Sequence, residues 1–282
     1  MKNKVKQEII DIVNLLQLYH IHIYPKDSLQ RAKEKIQAVD WTSISRYGKK
    51  LSEDIIREFQ DEIDWWGVSE AQFLSEEFIR EFKYKVVWNW ISETQILSED
   101  FIDEFPLYVV WENICKYQIL SEKFIRKCCH FHDRKIDLQL VAKYQRLSPE
   151  FIKEFKLTIP ETCSLYTPNS EKLKYIKENT SYEIIDDKFI IAYKSVRNDM
   201  RSSYKPFHFL YEVGKEYESH CDCNIDNENS FGLSAWTKEG ALRYLPSGTI
   251  LKVRINIDDL GCILRRDAKI RCRKLTVLEI MD

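Results

Sequence analysis

Apolar residues in the first half of the chain come in short bursts with helical spacing. Leu51, Ile55, Ile56 and Phe59 fall on one face of a helix, and the same grammar returns in "LSEEFIREF" from Leu74, "LSEDFIDEF" from Leu97, "LSEKFIRKC" from Leu120 and "LSPEFIKEF" from Leu147. Each burst starts with a serine. Ser52, Ser75, Ser98 and Ser121 recur every 23 residues, and the step to Ser148 is 27, so the fourth unit carries a four-residue insertion. The pattern predicts a short helix capped by the serine, with the following acids placed where their charge offsets the positive end of the helix dipole. Pro149 stands where a first-turn proline is tolerated, in the same phase.

The second half of each unit reads "IDWWGVSEAQF", "VVWNWISETQI" or "VVWENICKYQI". Trp88, Ile91 and Gln95 recur at i, i+3 and i+7, again one helical face. "VDWTSISRYGK" at 39–49 matches this half, so the array starts before residue 51. Two short helices and two tight turns fit one unit, and such a unit buries its Trp and Phe only against stacked neighbours. Residues 1–34 are therefore expected to form a helical cap and 35–156 a helical repeat solenoid. Six of the seven tryptophans lie in the array. Their fixed phase makes them core, except Trp66 and Trp90, which are off the common register and expected at the surface.

Two prolines and a polar cluster in "LTIPETCSLYTPNSEK" (157–172) break the repeat. Residues 157–182 read as a connecting segment containing the helical "EKLKYIKEN". Beyond it the period changes. "KFIIAYKSV" (188–196), "TILKVRINI" (249–257) and "KLTVLEI" (274–280) are β-type runs, and "TKEGALRYL" is a short helix with Thr237 as its N-cap. The expected fold class is α+β, mostly α: an N-terminal short-helix solenoid of 23-residue repeats followed by a small α+β domain at 183–282. Seven Gly and seven Pro in 282 residues favour helix over a loop-rich build.

Composition adds little that is catalytic. No apolar run approaches a membrane span, so no membrane partner is expected. The eight cysteines show no disulfide-scaffold spacing, which points to a reducing, cytoplasmic setting. Charge is more informative. The formal net charge is −2, but residues 51–120 hold sixteen Asp or Glu against five Lys or Arg, a local net of −11. Such polarity attracts a basic partner.

Two resemblances follow from these residues. The pattern "LSEEFIREF … W … IS … Q" resembles repeats of phage, prophage and large DNA-virus proteins. The segment "IAYKSVR … FLYEVGKEYE … FGLSAWTKEGALRYL … ILKVRI … DLGCI … AKIRCRKLTVLEI" looks like an uncharacterised domain of phage and prophage proteins. Together they cover roughly three-quarters of the chain and imply a mobile-element origin, without an established activity. The order of elements in the second segment is also loosely similar to that of ADP-ribosyltransferases. That likeness would put Tyr193–Lys194 on the first strand, and Ser234 and Thr237 on the second. The family's glutamate before the late strand is replaced here by Arg271, Arg273 and Lys274, and Glu279 lies too far along. A base in place of an essential carboxylate argues against transferase chemistry.

Other candidate chemistry is thin. "CCHFHDRK" gathers Cys128, Cys129, His130 and His132 in the insertion, but no partner pair at finger-like spacing follows. "SHCDC" gathers His220, Cys221 and Cys223 without a fourth member. No phosphate-binding glycine loop occurs. Neither cofactor nor metal is expected. Arg265, Arg266, Lys269, Arg271, Arg273 and Lys274 form a basic cluster. On a strand, Lys269, Arg271 and Arg273 would share one face, suited to phosphate or simply solvated, with Tyr204, Phe207 and Phe209 as aromatic companions for nucleic acid. The leading expectation is a non-enzymatic protein that binds another protein, such as a host defence nuclease complex, through an acidic repeat surface. Glu76, Glu77, Glu99, Asp100, Trp66 and Trp90 are the residues expected to touch that partner. A transferase-like enzyme or degenerate relative, and a basic nucleic-acid-binding C-terminal domain, are the alternatives. Homo-oligomerisation is left open.

Overall fold

The computed structural model describes residues 2–15, 22–24, 26–36, 40–47, 51–131, 134–159, 164–202, 209–227, 230–264 and 269–281. His132, Cys163, Tyr204, Phe207, Arg265 and Arg266 lie outside them. The chain forms two compact units, Met1–Gln95 and Ile96–Asp282. The fold class is α+β and mostly α, as the periodicity predicts.

The first unit is helical throughout its described elements. Helices α1 (Lys2–Leu15), α2 (Leu29–Lys35) and α3 (Trp41–Tyr47) precede two helix pairs, α4 (Glu53–Glu58) with α5 (Trp65–Ala71) and α6 (Glu76–Glu81) with α7 (Trp88–Thr94). Ser52 and Ser75 occupy the predicted caps, each accepting a hydrogen bond from the backbone three residues on, Ile55 and Phe78. Ile55, Ile56, Phe78 and Ile79 are fully buried. Each contributes on the order of 1.5–3 kcal/mol relative to exposure. The second helices stack in turn, α3 on α5 and α5 on α7.

The second unit begins with the same construction. It pairs α8 (Glu99–Glu104) with α9 (Trp111–Tyr117) and α10 (Glu122–Cys129) with α11 (Leu138–Tyr144), then adds α12 (Pro149–Glu154). Ser98, Ser121 and Ser148 are again N-caps, and Pro149 is in the first turn. Helix α13 (Asn169–Asn179) leads into strands β1 (Glu183–Ile185), β2 (Phe189–Val196), β3 (Glu216–Glu218) and β4 (Leu233–Ala235). These are followed by α14 (Lys238–Tyr244), β5 (Thr249–Asn256), β6 (Leu260–Ile263), β7 (Ile270–Cys272) and β8 (Lys274–Met281), with a 3-10 turn at Ile257–Asp259 before β6.

Two antiparallel sheets result, one ordered β1-β2-β5-β8-β3 and the other β4-β7-β6. They meet where Tyr193 and Trp236 exchange both backbone hydrogen bonds, at 2.8 and 2.7 Å. The core holds Ile190, Ala192, Leu251, Val253, Ile255, Leu275 and Val277. Ile176 of α13 is buried in this same core, with Leu173 packed against it. The helix of the expected connecting segment is thus a structural part of the α+β fold.

Candidate functional site

The polar residues of the repeat do structural work that its apolar period does not announce. The glutamine closing each second helix is buried, and its amide reaches the neighbouring unit. Gln72 Oε1 accepts from the Leu51 backbone N–H (2.8 Å) while its Nε2 donates to Ser45 O (3.0 Å). Gln95 accepts from Leu74 (3.1 Å) and donates to Gln72 O (2.9 Å) and Ser69 O (3.2 Å). In the second unit Gln145 accepts from Leu120 (3.3 Å) and donates to Cys115 O and Gln118 O (2.9 Å each). Past the last repeat the Tyr166 hydroxyl takes this place, accepting from Leu147 N–H (3.1 Å) and donating to Gln145 O (2.6 Å).

The acids after each serine divide into two kinds. Those in the first helical position cap the next repeat. Glu53 accepts from Ser75 N–H (2.6 Å), Glu99 from both the backbone and the hydroxyl of Ser121, and Glu122 from the backbone (2.6 Å) and hydroxyl (3.0 Å) of Ser148. Glu8 of α1 does the same for Ser52. Glu99, expected to touch a partner, is therefore engaged inside the array. Glu76 is half-buried, 3.8 Å from Arg80. Two of the acids in the second position face outward, the Glu77 side chain being 82% exposed and Asp100 exposed, while Asp54 is half-buried.

Trp66 is exposed and meets half-buried Trp90 edge-on, ring centres 5.7 Å apart. The in-register tryptophans lock turns instead: Trp65, Trp88 and Trp111 donate their indole N–H to the carbonyls of Gln60, Lys83 and Pro106 at 2.8–2.9 Å. Two further surface residues escaped the sequence reading. Tyr84 and Leu107 are 80% and 81% exposed, and each stands two residues after the phenylalanine that ends its first helix, Phe82 and Phe105. The signal was present as two apolar letters at one repeat position where the first unit has Asp61.

In the α+β fold, Lys194 and Ser234 converge. Lys194 Nζ donates to Ser234 O (2.8 Å) and lies 5.2 Å from the Tyr211 ring centre and 6.0 Å from that of Trp236. Burial lowers its pKa to about 8. Thr237 is the N-cap of α14, accepting from Gly240 N–H (3.2 Å).

The three basic residues expected on one strand face are separated. Lys269 sits over Trp236 (5.4 Å), and Arg273 pairs with Glu218 (3.0 Å). Arg271 is 0% exposed. Its guanidinium is enclosed by carbonyls of the 222–227 loop, donating to Asp222 O (2.7 Å), Asn224 O (3.3 Å) and Asn227 O. Arg271 lies opposite Ser234 in the β4–β7 register. A buried guanidinium cannot contact a phosphate backbone from there, so the strand alternation does not produce the expected basic face. Lys274 lies 3.2 Å from Glu218.

In the first histidine–cysteine cluster Cys129 and His130 are exposed. Cys128 is buried and its thiol is pushed up to about 12 by desolvation. His220, Cys221 and Cys223 are buried, and the loop that carries them packs against the repeats through Phe231, 4.8 Å from Tyr117 and 5.3 Å from Tyr144. Among the described residues no group of three or more His, Cys, Asp or Glu is arranged to hold a metal ion, and no helix is long and apolar enough to cross a membrane. Comparison of the chain with protein-family models, with curated proteins and with solved structures finds no match in any of the three.

Proposed function

We propose that the chain is a non-enzymatic interaction protein of mobile-element origin, whose repeats bind a basic surface of another protein. The carrying observation is the exposure of Tyr84 in the first unit and of Leu107 in the second, at one repeat position within a stretch of sequence, 51–120, of net charge −11. Large side chains exposed at a repeated place, aromatic or aliphatic and ringed by charge, suit partner binding. Glu77, Asp100 and Trp66 extend the same character, while Glu99 is assigned to the array. A host defence nuclease fits as partner, because its nucleic-acid-binding face is basic and open to an acidic competitor. The test is capture of such a nuclease complex by full-length protein, beside Tyr84→Ser/Leu107→Ser and Glu77→Arg/Asp100→Arg. Both variants should keep the wild-type melting temperature and lose capture; unchanged capture would overturn the reading.

A second reading rests on the Lys194–Ser234 contact, which joins the two positions that an ADP-ribosyltransferase-like layout would use. With Arg271 opposite Ser234, this reading is of a relative without transfer chemistry. Release of nicotinamide from NAD, lost in Lys194→Met, would restore the enzyme reading. The nucleic-acid alternative draws less support, since Arg271 and Arg273 are both engaged within the fold.

A further inference from the structure

The first unit carries two aromatic rings set nearly at right angles on neighbouring helices. Trp66 is the second residue of α5 and Trp90 the third of α7, and these helices stack on one another. The ring centres lie 5.7 Å apart and the planes meet at 79°. Trp66 is 47% exposed and Trp90 is half-buried, so the pair stands at the surface. Two rings in edge-to-face contact leave a corner walled by one face of each. Trp90 also differs from the in-register tryptophans in what it offers. The indole N–H groups of Trp65 and Trp88 bond turn carbonyls, whereas that of Trp90 is enclosed with no hydrogen-bond partner among the described residues. Its contact group is the ring face.

Indole faces are negative and attract cations. The fold uses this attraction one residue earlier, with Lys85 Nζ 5.9 Å from the Trp65 ring centre. The charge around the corner has the matching sign. The sequences of α5 and α7 hold no Lys or Arg and one glutamate each, Glu70 four residues after Trp66 and Glu93 three after Trp90, spacings that share a helical face. Over residues 51–95 eleven Asp or Glu stand against four Lys or Arg, a net of −7. Among cations, a right-angled corner selects by shape. A guanidinium is a flat, weakly hydrated plate, and when it lies on one indole its N–H edge turns to the face of the other. An ammonium is a compact, strongly hydrated charge with no such edge.

We propose that Trp66 and Trp90 form a receptor for one arginine side chain of a basic protein partner. This rests on the partner-binding reading above and names the group that this part of the repeat surface grips.

Blocked peptides Gly-X-Gly-X-Gly test this, with X as arginine, lysine, trimethyl-lysine or citrulline, the first three equal in charge. Each is titrated into full-length protein and followed through the tryptophan indole N–H signals by NMR. The arginine peptide should move the Trp66 and Trp90 signals together and bind about threefold more tightly than the lysine peptide, with no binding of citrulline. Trp66→Leu, at an exposed position, should keep the wild-type melting temperature and bring arginine down to the level of lysine. If that variant melts early, the four peptides on wild-type protein decide alone. Equal affinity for arginine and lysine, tighter binding of trimethyl-lysine, or an unmoved indole pair at about 10 mM arginine peptide would each overturn the assignment. An arginine preference that survives in a well-folded Trp66→Leu would do the same. The two readings fail separately: a wild-type protein that captures the nuclease without preferring arginine peptides loses only the corner, and one that prefers them without capture loses only the nuclease.

Discussion

At the scale of the residue, this protein is held in register by polar groups placed in its interior. Gln145 is buried and satisfies one N–H and two carbonyls of the adjoining segments. Removing such an amide strands all three, so Gln145→Leu is expected to cost roughly 2–4 kcal/mol in urea unfolding, although the new side chain is more apolar. A variant as stable as wild type would show that packing alone sets the stacking. His220 offers a titration of the same kind. Desolvation lowers its pKa from 6.5 to about 4, aided by the charge of Arg273 and opposed by hydrogen bonds to the Gln118 and Tyr144 backbones. The native state holds it neutral, while the unfolded chain takes up the proton below about pH 6.5. Its contribution is thus complete above pH 6.5 and is lost as pH falls toward 4, by roughly 3 kcal/mol. His220→Gln should flatten that part of the pH–stability profile relative to wild type, and parallel profiles would refute the assignment.

At the scale of the element, the rungs between helices show what the letters carried and what they did not. The serine caps, the phase of the first helices and the second-helix stack were legible because each follows from local spacing. The partner of each glutamine was not, since a single Gln letter says nothing about which carbonyl it will meet. The outward and inward acids were equally indistinct, because Glu76 and Glu77 differ only by one position on a helix. Pro149, legible as a first-turn proline, gains a second meaning with the structure: it replaces the first-position glutamate in the last unit, where no further serine requires capping. Charge rungs carry a similar correlation. Arg57 pairs with Glu81 and Arg126 with Glu154, both at 2.8 Å, but the Asp103–Lys127 rung, also 2.8 Å, has its signs exchanged. The exchange goes with Arg134 from the insertion, whose largely buried guanidinium also pairs with Asp103 (2.7 Å). Exchanging signs as Arg57→Glu/Glu81→Arg should therefore recover the rung itself, about 0.5 kcal/mol for an exposed pair, but not what Arg57 loses against Glu53 and Asp54 (3.7 Å each) and over the Phe78 ring. Asp103→Arg/Lys127→Glu should not, because Arg134 would face a cation from a desolvated position. Equal recovery in both double-mutant cycles would sink this account.

At the scale of the whole molecule, the composition shift at the prolines marks where the repeat stops but not where the α+β fold starts to depend on its neighbours. The strand runs place the sheet after residue 183, yet the core of that sheet includes Ile176, and Lys172 bonds the turn before β6. Helix period alone could not reveal this, because α13 buries only a narrow stripe and reads as a polar connector. The loop before β4 leans the other way: Phe231 packs on Tyr117 and Tyr144, and His220 is enclosed there. A fragment 183–282 therefore loses the helix under its sheet and exposes an aromatic side chain, a buried histidine and the thiol of Cys223. A fragment 164–282 recovers the helix and, through Leu165, the cover on Cys223, but not the contacts of Phe231 and His220 with the repeats. The expected order of stability by circular dichroism melting and amide exchange is 96–282, then 164–282, with 183–282 failing to give a cooperative transition. Cooperative melting of 183–282 at the temperature of the longer fragments would mean that α13 and the repeats only lie against the sheet. A deficit in the shortest fragment alone would assign the whole dependence to α13. Deficits in both would show that the repeats of this unit also support the α+β fold, so that a partner gripping them would be felt at the sheet.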